Sequence, residues 1–165
     1  DPRFVHFQDY IPRHSTSSSI VVQGVNNIEN TDRITMWTVM GFPLASVTLP
    51  CWLNRDRELP RVLQPDKEGA SPLSRIALDL KNKCFPVKKG SGYKYMNLSI
   101  LLNRENTGVL QKAEETEMKA IALAEEFYKV QMKKPYSERD FSALYAQLDG
   151  LIYDELGVLT GRIRK

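Results

Sequence analysis

The stretch that most constrains the fold runs from Ile11 to Val25 and joins a polar half to an apolar half. Its second half, Ser19 to Val25, is a run of mainly β-branched residues that predicts a buried strand. Its first half carries Arg13, His14 and a series of serine and threonine hydroxyls. Pro12 has no N–H and pushes the residue before it into an extended conformation, so the chain is expected to turn there. A buried strand is therefore predicted to begin at a polar segment that includes Arg13, His14 and Ser15, which we call the mouth.

The polar mouth has two interpretations. A guanidinium at Arg13 and a hydroxyl at Ser15 are groups that a ligand could reach, supported by the rigid sheet behind them. The other interpretation is a serine-rich loop that simply leads into a core strand. The residues alone leave both open.

A second constraint is the most apolar segment of the chain, Ile34 to Leu53, which holds both tryptophans. Its length matches a membrane span, but a glycine, two prolines and several hydroxyl residues interrupt it. Two short buried strands, Ile34–Met40 and Ala45–Leu49, fit this pattern better, with a Gly-Phe-Pro turn between them. No membrane span is predicted.

Strand signals dominate the first hundred residues. Arg3 to Gln8 alternates loosely and predicts a first strand, and Tyr95 to Leu102 is an apolar run that predicts a last one. Asn54 to Ala70 contains prolines and a glycine and predicts an irregular loop. The Gly-Ser-Gly between Lys88 and Lys94 lacks the Lys-Ser/Thr of a Walker motif, which favours a linker over a phosphate loop. Residues 1–103 should therefore form a strand-rich part.

Helix signals dominate the remainder. Ser71-Pro72 predicts the start of a short helix that ends near Lys83, within the strand-rich part. Apolar residues at three- and four-residue steps predict a long helix from Leu110 to Lys134. Ser137, with Asp140 three residues later, predicts the start of a second amphipathic helix that includes Phe141.

Strands and helices are thus segregated along the chain, which predicts an α+β fold with antiparallel sheet layered against helices. Residues 110–156 are expected to form an antiparallel helical pair, and Leu156 to Lys165 a fraying basic tail. Residues 1–165 are long enough for a single domain and equally suit the C-terminal part of a larger one. The opening Asp1-Pro2 has no initiator methionine or signal peptide before it, which is typical of a processed or truncated product.

Charge and cysteine content exclude several classes of function. A net charge of +3 with scattered basic residues argues against a nucleic-acid surface. Cys51 and Cys84 follow no zinc or C-x-x-C spacing, so buried free thiols are favoured over a bridge. His6 and His14 have no metal-ligand partners at a recognised spacing, and no cofactor motif is present. Ser15 lies next to His14, but there is no G-x-S-x-G elbow and adjacency does not make a triad.

Five short segments between Phe4 and Leu53 follow one another in a familiar order: Pro12–Ser18, Ile20–Val25, Met36-Trp37, Gly41–Pro43 and Pro50–Leu53. This order resembles the C-terminal half of bacterial linear-amide C–N hydrolases of the N-terminal-nucleophile (Ntn) superfamily, such as isopenicillin N acyltransferase-like and choloylglycine hydrolase-like enzymes.

The resemblance implies an αββα sandwich and an amidohydrolase or acyltransferase that acts on small amides. The family nucleophile is a cysteine exposed as a new N-terminal residue, whose α-amino group serves as base. This chain begins with Asp1, so the nucleophile is expected in a missing N-terminal half or on a second chain, and the family's oxyanion-hole asparagine has no counterpart. Arg13 is the supporting catalytic residue and substrate ligand that carries over. Ser15, Trp37 and Phe42 are further substrate-binding candidates, with core packing open for the two aromatics.

Two other functions stay open. A non-catalytic α+β domain could bind a ligand or protein at the same mouth, or self-associate. A serine or cysteine hydrolase complete within these residues is the third. A periplasmic or secreted location would follow if a signal peptide had been removed upstream.

Overall fold

The computed structural model describes residues 3–9, 11–52 and 58–161 and confirms the α+β fold. A three-stranded antiparallel sheet contains β2 (Ser18–Gln23), β3 (Thr35–Met40) and β4 (Thr48–Trp52) in that order. Ser18 lies opposite Met40, and Thr35 lies opposite Trp52. The predicted strand Ile34–Met40 is confirmed. Its neighbour begins three residues later than the predicted Ala45, because Pro43–Ala45 forms a 3-10 turn.

A separate two-stranded sheet pairs β1 (Phe4–His6) with β5 (Tyr95–Asn97) in antiparallel fashion. The apolar run Tyr95–Leu102 is a strand only in its first three residues, since α2 (Leu98–Leu101) follows at once. The side chain of Asn97 accepts a hydrogen bond from the Ser99 N–H and caps this helix. This cap starts a helix at Leu98, which explains why the apolar run does not continue as a strand.

The remaining helices begin and end close to their predicted positions. They are α1 (Pro72–Cys84), α3 (Val109–Gln131) and α4 (Phe141–Leu151). Ser71 caps α1 with its hydroxyl. Asp140, and not the predicted Ser137, caps α4, because residues 136–138 form a short 3-10 turn of their own.

An aromatic cluster of Trp52, Phe127 and Phe141 joins the sheet to α3 and α4, with ring centroids 5.1 to 5.9 Å apart. On the α1 side, the backbone of Gly41 approaches so closely that a Cβ there would lie 2.5 Å from that of Ala77, at a φ of +87° that favours glycine. These two contacts fix the sheet between the helices.

The segment after α4 corrects the predicted tail. Residues Ile152–Leu156 form a π-helical turn and Gly157–Thr160 a 3-10 turn, and Leu156 is fully buried. The prediction of a fraying tail is therefore wrong for residues 156–160. Residues 162–165 lie outside the described part of the chain. The loop predicted for Asn54–Ala70 contains a 3-10 turn at Arg61–Leu63, and its residues 54–57 also lie outside the description.

Burial falls steadily across the larger sheet. In β4 the residues Leu49 to Trp52 are buried, although they alternate between the two faces. Every residue of β2 is exposed, including Ile20, Val21 and Val22. The prediction of a buried strand at 19–25 is wrong, because β2 is an edge strand whose side chains none of the described helices buries. None of the described helices is both long and apolar enough to cross a membrane.

Candidate functional site

The predicted mouth lies where the chain enters β2. The carbonyl of Arg13 accepts a turn hydrogen bond from the Thr16 N–H at 2.9 Å. The carbonyl of Ser17 then accepts from the Gly41 N–H at 2.7 Å, which joins the mouth to the end of β3. Arg13 and Ser15 are both exposed, whereas a guanidinium facing a cavity would be partly covered. Any groups that cover Arg13 must therefore come from outside the described part of the chain.

The mouth rests on a cluster of aromatic and basic side chains. The His14 ring meets the Phe85 ring edge-on with centroids 5.0 Å apart. The Nζ of Lys81 donates a hydrogen bond to the His14 carbonyl oxygen at 2.5 Å and lies 5.7 Å from the Phe42 ring centroid. We call His14, Phe42, Lys81 and Phe85 the mouth cluster. It ties the start of β2 to the C-terminal end of α1.

Phe42 belongs to the buried side of this cluster. Its side chain is 2% exposed, and its ring meets that of Phe85 edge-on at 5.9 Å. It therefore supports the mouth from beneath and offers no open wall. The sequence pointed to Phe42 and Arg13 but not to Lys81, in the last turn of α1, or to Phe85, directly after that helix. Both lie far from the mouth along the chain, and no motif links them to it.

Positive charge accumulates around the mouth cluster. Burial lowers the pKa of the His14 imidazole from its ordinary value of 6.5, and the ammonium groups of Lys81 and Lys88 lower it further. Burial also lowers the pKa of Lys81, with Lys88 adding to the effect. Within the described residues, no carboxylate forms an ion pair with Lys81. An anionic ligand at the mouth would find this field favourable.

The lowered pKa of His14 predicts a measurable pH response. Because its folded-state pKa lies below 6.5, His14 contributes stability that is present at higher pH and is lost as the pH falls through the unfolded and then the folded pKa. Lys81→Met should raise the pKa of His14, since it removes a neighbouring positive charge. NMR titration of the imidazole checks this. Lys83→Met is the matched control on the same helix and should leave the pKa unchanged; equal shifts in both variants would contradict the assignment.

Trp37 lies elsewhere. In β3 it stands opposite Val21, and its Nε1–H donates to the Gln23 side-chain oxygen at 3.0 Å. Its indole lines a mostly apolar cleft of about 240 Å³ between the sheet and α3, together with Trp52 and Tyr128. The mouth cluster packs on α1 instead. The structure therefore places Arg13, Ser15 and Phe42 in one region and Trp37 in another.

A larger open groove of about 720 Å³ lies between residues 58–64 and α4. Asp149 stands at its base, where its carboxylate accepts hydrogen bonds from the backbone N–H groups of Arg61 and Val62, each at 3.0 Å. No sequence pattern pointed to this groove, because its lining comes from two separate segments. Its carboxylate has a clear structural role.

Both cysteines are free and buried. Burial raises the pKa of Cys84 to about 12 and also raises that of Cys51. Since the thiolate is the nucleophile, neither side chain is activated for attack. Among the described residues, no group of three histidine, cysteine or carboxylate side chains is placed to hold a metal ion. Comparison with protein-family profiles, with curated proteins and with solved structures finds nothing that matches this chain.

Proposed function

We propose that this chain is the C-terminal portion of an amidohydrolase or acyltransferase that acts on linear amide C–N bonds, with its cysteine nucleophile outside these residues. The observation that carries the proposal is the exposed mouth. It presents Arg13 and Ser15 above a cluster in which the half-buried Lys81 ammonium supplies positive charge, yet neither cysteine of the chain is activated. A binding surface without its nucleophile is what one portion of such an enzyme would have.

Each mouth residue has a role in this proposal. The planar guanidinium of Arg13 would hold a substrate carbonyl or carboxylate in fork geometry beside the nucleophile. The hydroxyl of Ser15 can donate a further hydrogen bond, and Lys81 strengthens the positive field from below. The incoming portion would supply the terminal cysteine, with its α-amino group as base. The substrate expected from this charge pattern is a small amide with an anionic group.

The proposal predicts that the isolated chain is inactive. Purified residues 1–165 should give no turnover of N-acyl amino acids or bile-salt amides, because nucleophile and base are both absent. Product release is measured by chromatography. Turnover that is abolished by Ser15→Ala or Cys51→Ala would contradict the proposal and indicate a hydrolase complete within the chain. Activity that appears only when the chain is joined to a portion bearing an N-terminal cysteine would support it.

The alternative is a non-catalytic domain that binds an anionic ligand at the mouth. The same exposed Arg13 and the same unactivated cysteines favour it. Joining the chain to a cysteine-bearing portion separates the two functions, because a binding domain would keep its ligand affinity and gain no turnover.

A further inference from the structure

The two edges of the three-stranded sheet differ in how they are protected. Because the Gly41 N–H donates to the Ser17 carbonyl, odd-numbered residues of β2 form the hydrogen-bonded pairs with β3. The alternation continues into β4, so the backbone groups of Thr48, Pro50 and Trp52 face away from the sheet. Pro50 has no N–H, and the Thr48 N–H donates to the Glu117 carboxylate at 2.9 Å. These two positions interrupt the ladder that a further strand would need, which closes the edge to regular pairing.

Within the described part of the chain, the β2 edge has no such protection. By the same alternation, the N–H and C=O groups of Ser18, Ile20 and Val22 point outward, away from β3. The strand contains no proline and no charged residue. The side chains of Ile20, Val21 and Val22 are 56%, 64% and 62% exposed. The upstream strand β1 pairs with β5 and not with this edge.

We propose that β2 is a dimer interface that binds β2 of a second copy of this chain in antiparallel fashion. A two-fold axis at Ile20 places Ile20 opposite its own counterpart, and Ser18 opposite Val22 of the second copy. In this register every outward backbone group of the strand is paired. A shifted register leaves some of these groups facing residues beyond the strand, so the register centred on Ile20 is preferred.

The chemistry of the strand suits a second copy. Since β2 is uncharged, two copies bring no like charges together across the new ladder. The isoleucine pair and the flanking valines cover apolar surface that is exposed in the single chain. The two sheets would become one continuous sheet whose outer edges are both β4. Because that edge is closed by Pro50 and Glu117, assembly stops at the dimer and does not extend to fibres.

The interface is independent of the proposed function. Antiparallel pairing directs the two mouths to opposite ends of the joined strands, and neither Arg13 nor Ser15 lies in β2. The dimer therefore places one mouth at each end of the joined strands.

Sedimentation equilibrium of the full chain provides the first test. The wild type should dimerise at micromolar concentration, and Ile20→Lys should weaken the dimer at least about tenfold, since it sets two ammonium groups opposite each other. Ile28→Lys is the matched control: Ile28 is 84% exposed but lies outside the strand, so this variant should dimerise like the wild type. A monomer at all concentrations, open-ended aggregation, or equal effects of the two lysines would overturn the proposal.

Disulfide trapping tests the register. Residues in a hydrogen-bonded antiparallel pair have Cα atoms about 5.5 Å apart, which a disulfide can span. Ile20→Cys should therefore cross-link into a covalent dimer under mild oxidation, whereas Val22→Cys should not, because it stands opposite Ser18. Cys51 and Cys84 are buried and do not compete. Equal cross-linking at both positions, or none at position 20, would overturn the register. Preferential binding of a different protein to the β2 edge would overturn the proposal that a second copy of this chain binds there.

Discussion

Replacing Trp52 with alanine is expected to lower the free energy of unfolding by about 3–5 kcal/mol, the usual range for a large buried aromatic side chain. Trp52 is 5% exposed and packs against Phe127 and Phe141 at ring distances of 5.1 and 5.9 Å. Its Nε1–H also donates to the buried Thr35 hydroxyl at 2.8 Å. The substitution removes the contact between sheet and helices and leaves that hydroxyl without its donor.

Urea denaturation followed by circular dichroism measures this loss. Trp37→Ala is the matched control, because Trp37 lies on the same face of the same sheet but is only half-buried. Trp37→Ala should lower the free energy of unfolding clearly less than Trp52→Ala does. Similar losses for both tryptophans would show that Trp52 does not anchor the helices to the sheet.

Removing the carboxylate of Asp149 is expected to lower the free energy of unfolding by about 2–4 kcal/mol. A hydrogen bond to a charged group contributes about 1.5–3 kcal/mol, and of the two that Asp149 accepts, the one from the Arg61 N–H is exposed to solvent and contributes less. Asp149→Ala would leave the N–H groups of Arg61 and Val62 without their acceptor, and the Val62 side chain is fully buried. The turn at 61–63 would then detach from α4.

Thermal and urea unfolding test this second loss. The free energy of unfolding of Asp149→Asn should lie between those of the wild type and Asp149→Ala, since an amide oxygen can accept one of the hydrogen bonds. Glu114→Ala removes an exposed carboxylate from α3 and serves as control, with a loss within about 0.5 kcal/mol. A negligible effect of Asp149→Ala would contradict the capping role.

The helices were predictable because their signals are local. Apolar side chains at helical spacing locate α3, and the serine-proline pair at residues 71 and 72 locates α1. Burial in the sheet was not predictable in the same way. A β-branched run such as Ile20–Val22 is compatible with a central strand and with an edge strand. Only the packing of α3 against β4, at the other side of the sheet, decides between them.

Only part of the candidate site could be predicted from the sequence. Arg13 and Ser15 attract attention because they open a strand, but Lys81 lies 67 residues beyond His14 and meets it only in the folded chain. Phe42 and Trp37 are close in sequence, yet one packs toward α1 and the other toward α3. Sequence proximity could not separate them, because the turn at Gly41 redirects the chain between the two.

Kinetics of Arg13 variants, in the chain joined to a portion that bears the N-terminal cysteine, test the proposed function most directly. Arg13→Lys keeps the charge but loses the planar fork, so kcat/KM should fall at least about tenfold, with a larger fall for Arg13→Ala. Because Arg13 is exposed, both variants should melt at the wild-type temperature. Unchanged kcat/KM in both variants would contradict a role for the mouth in substrate binding or catalysis.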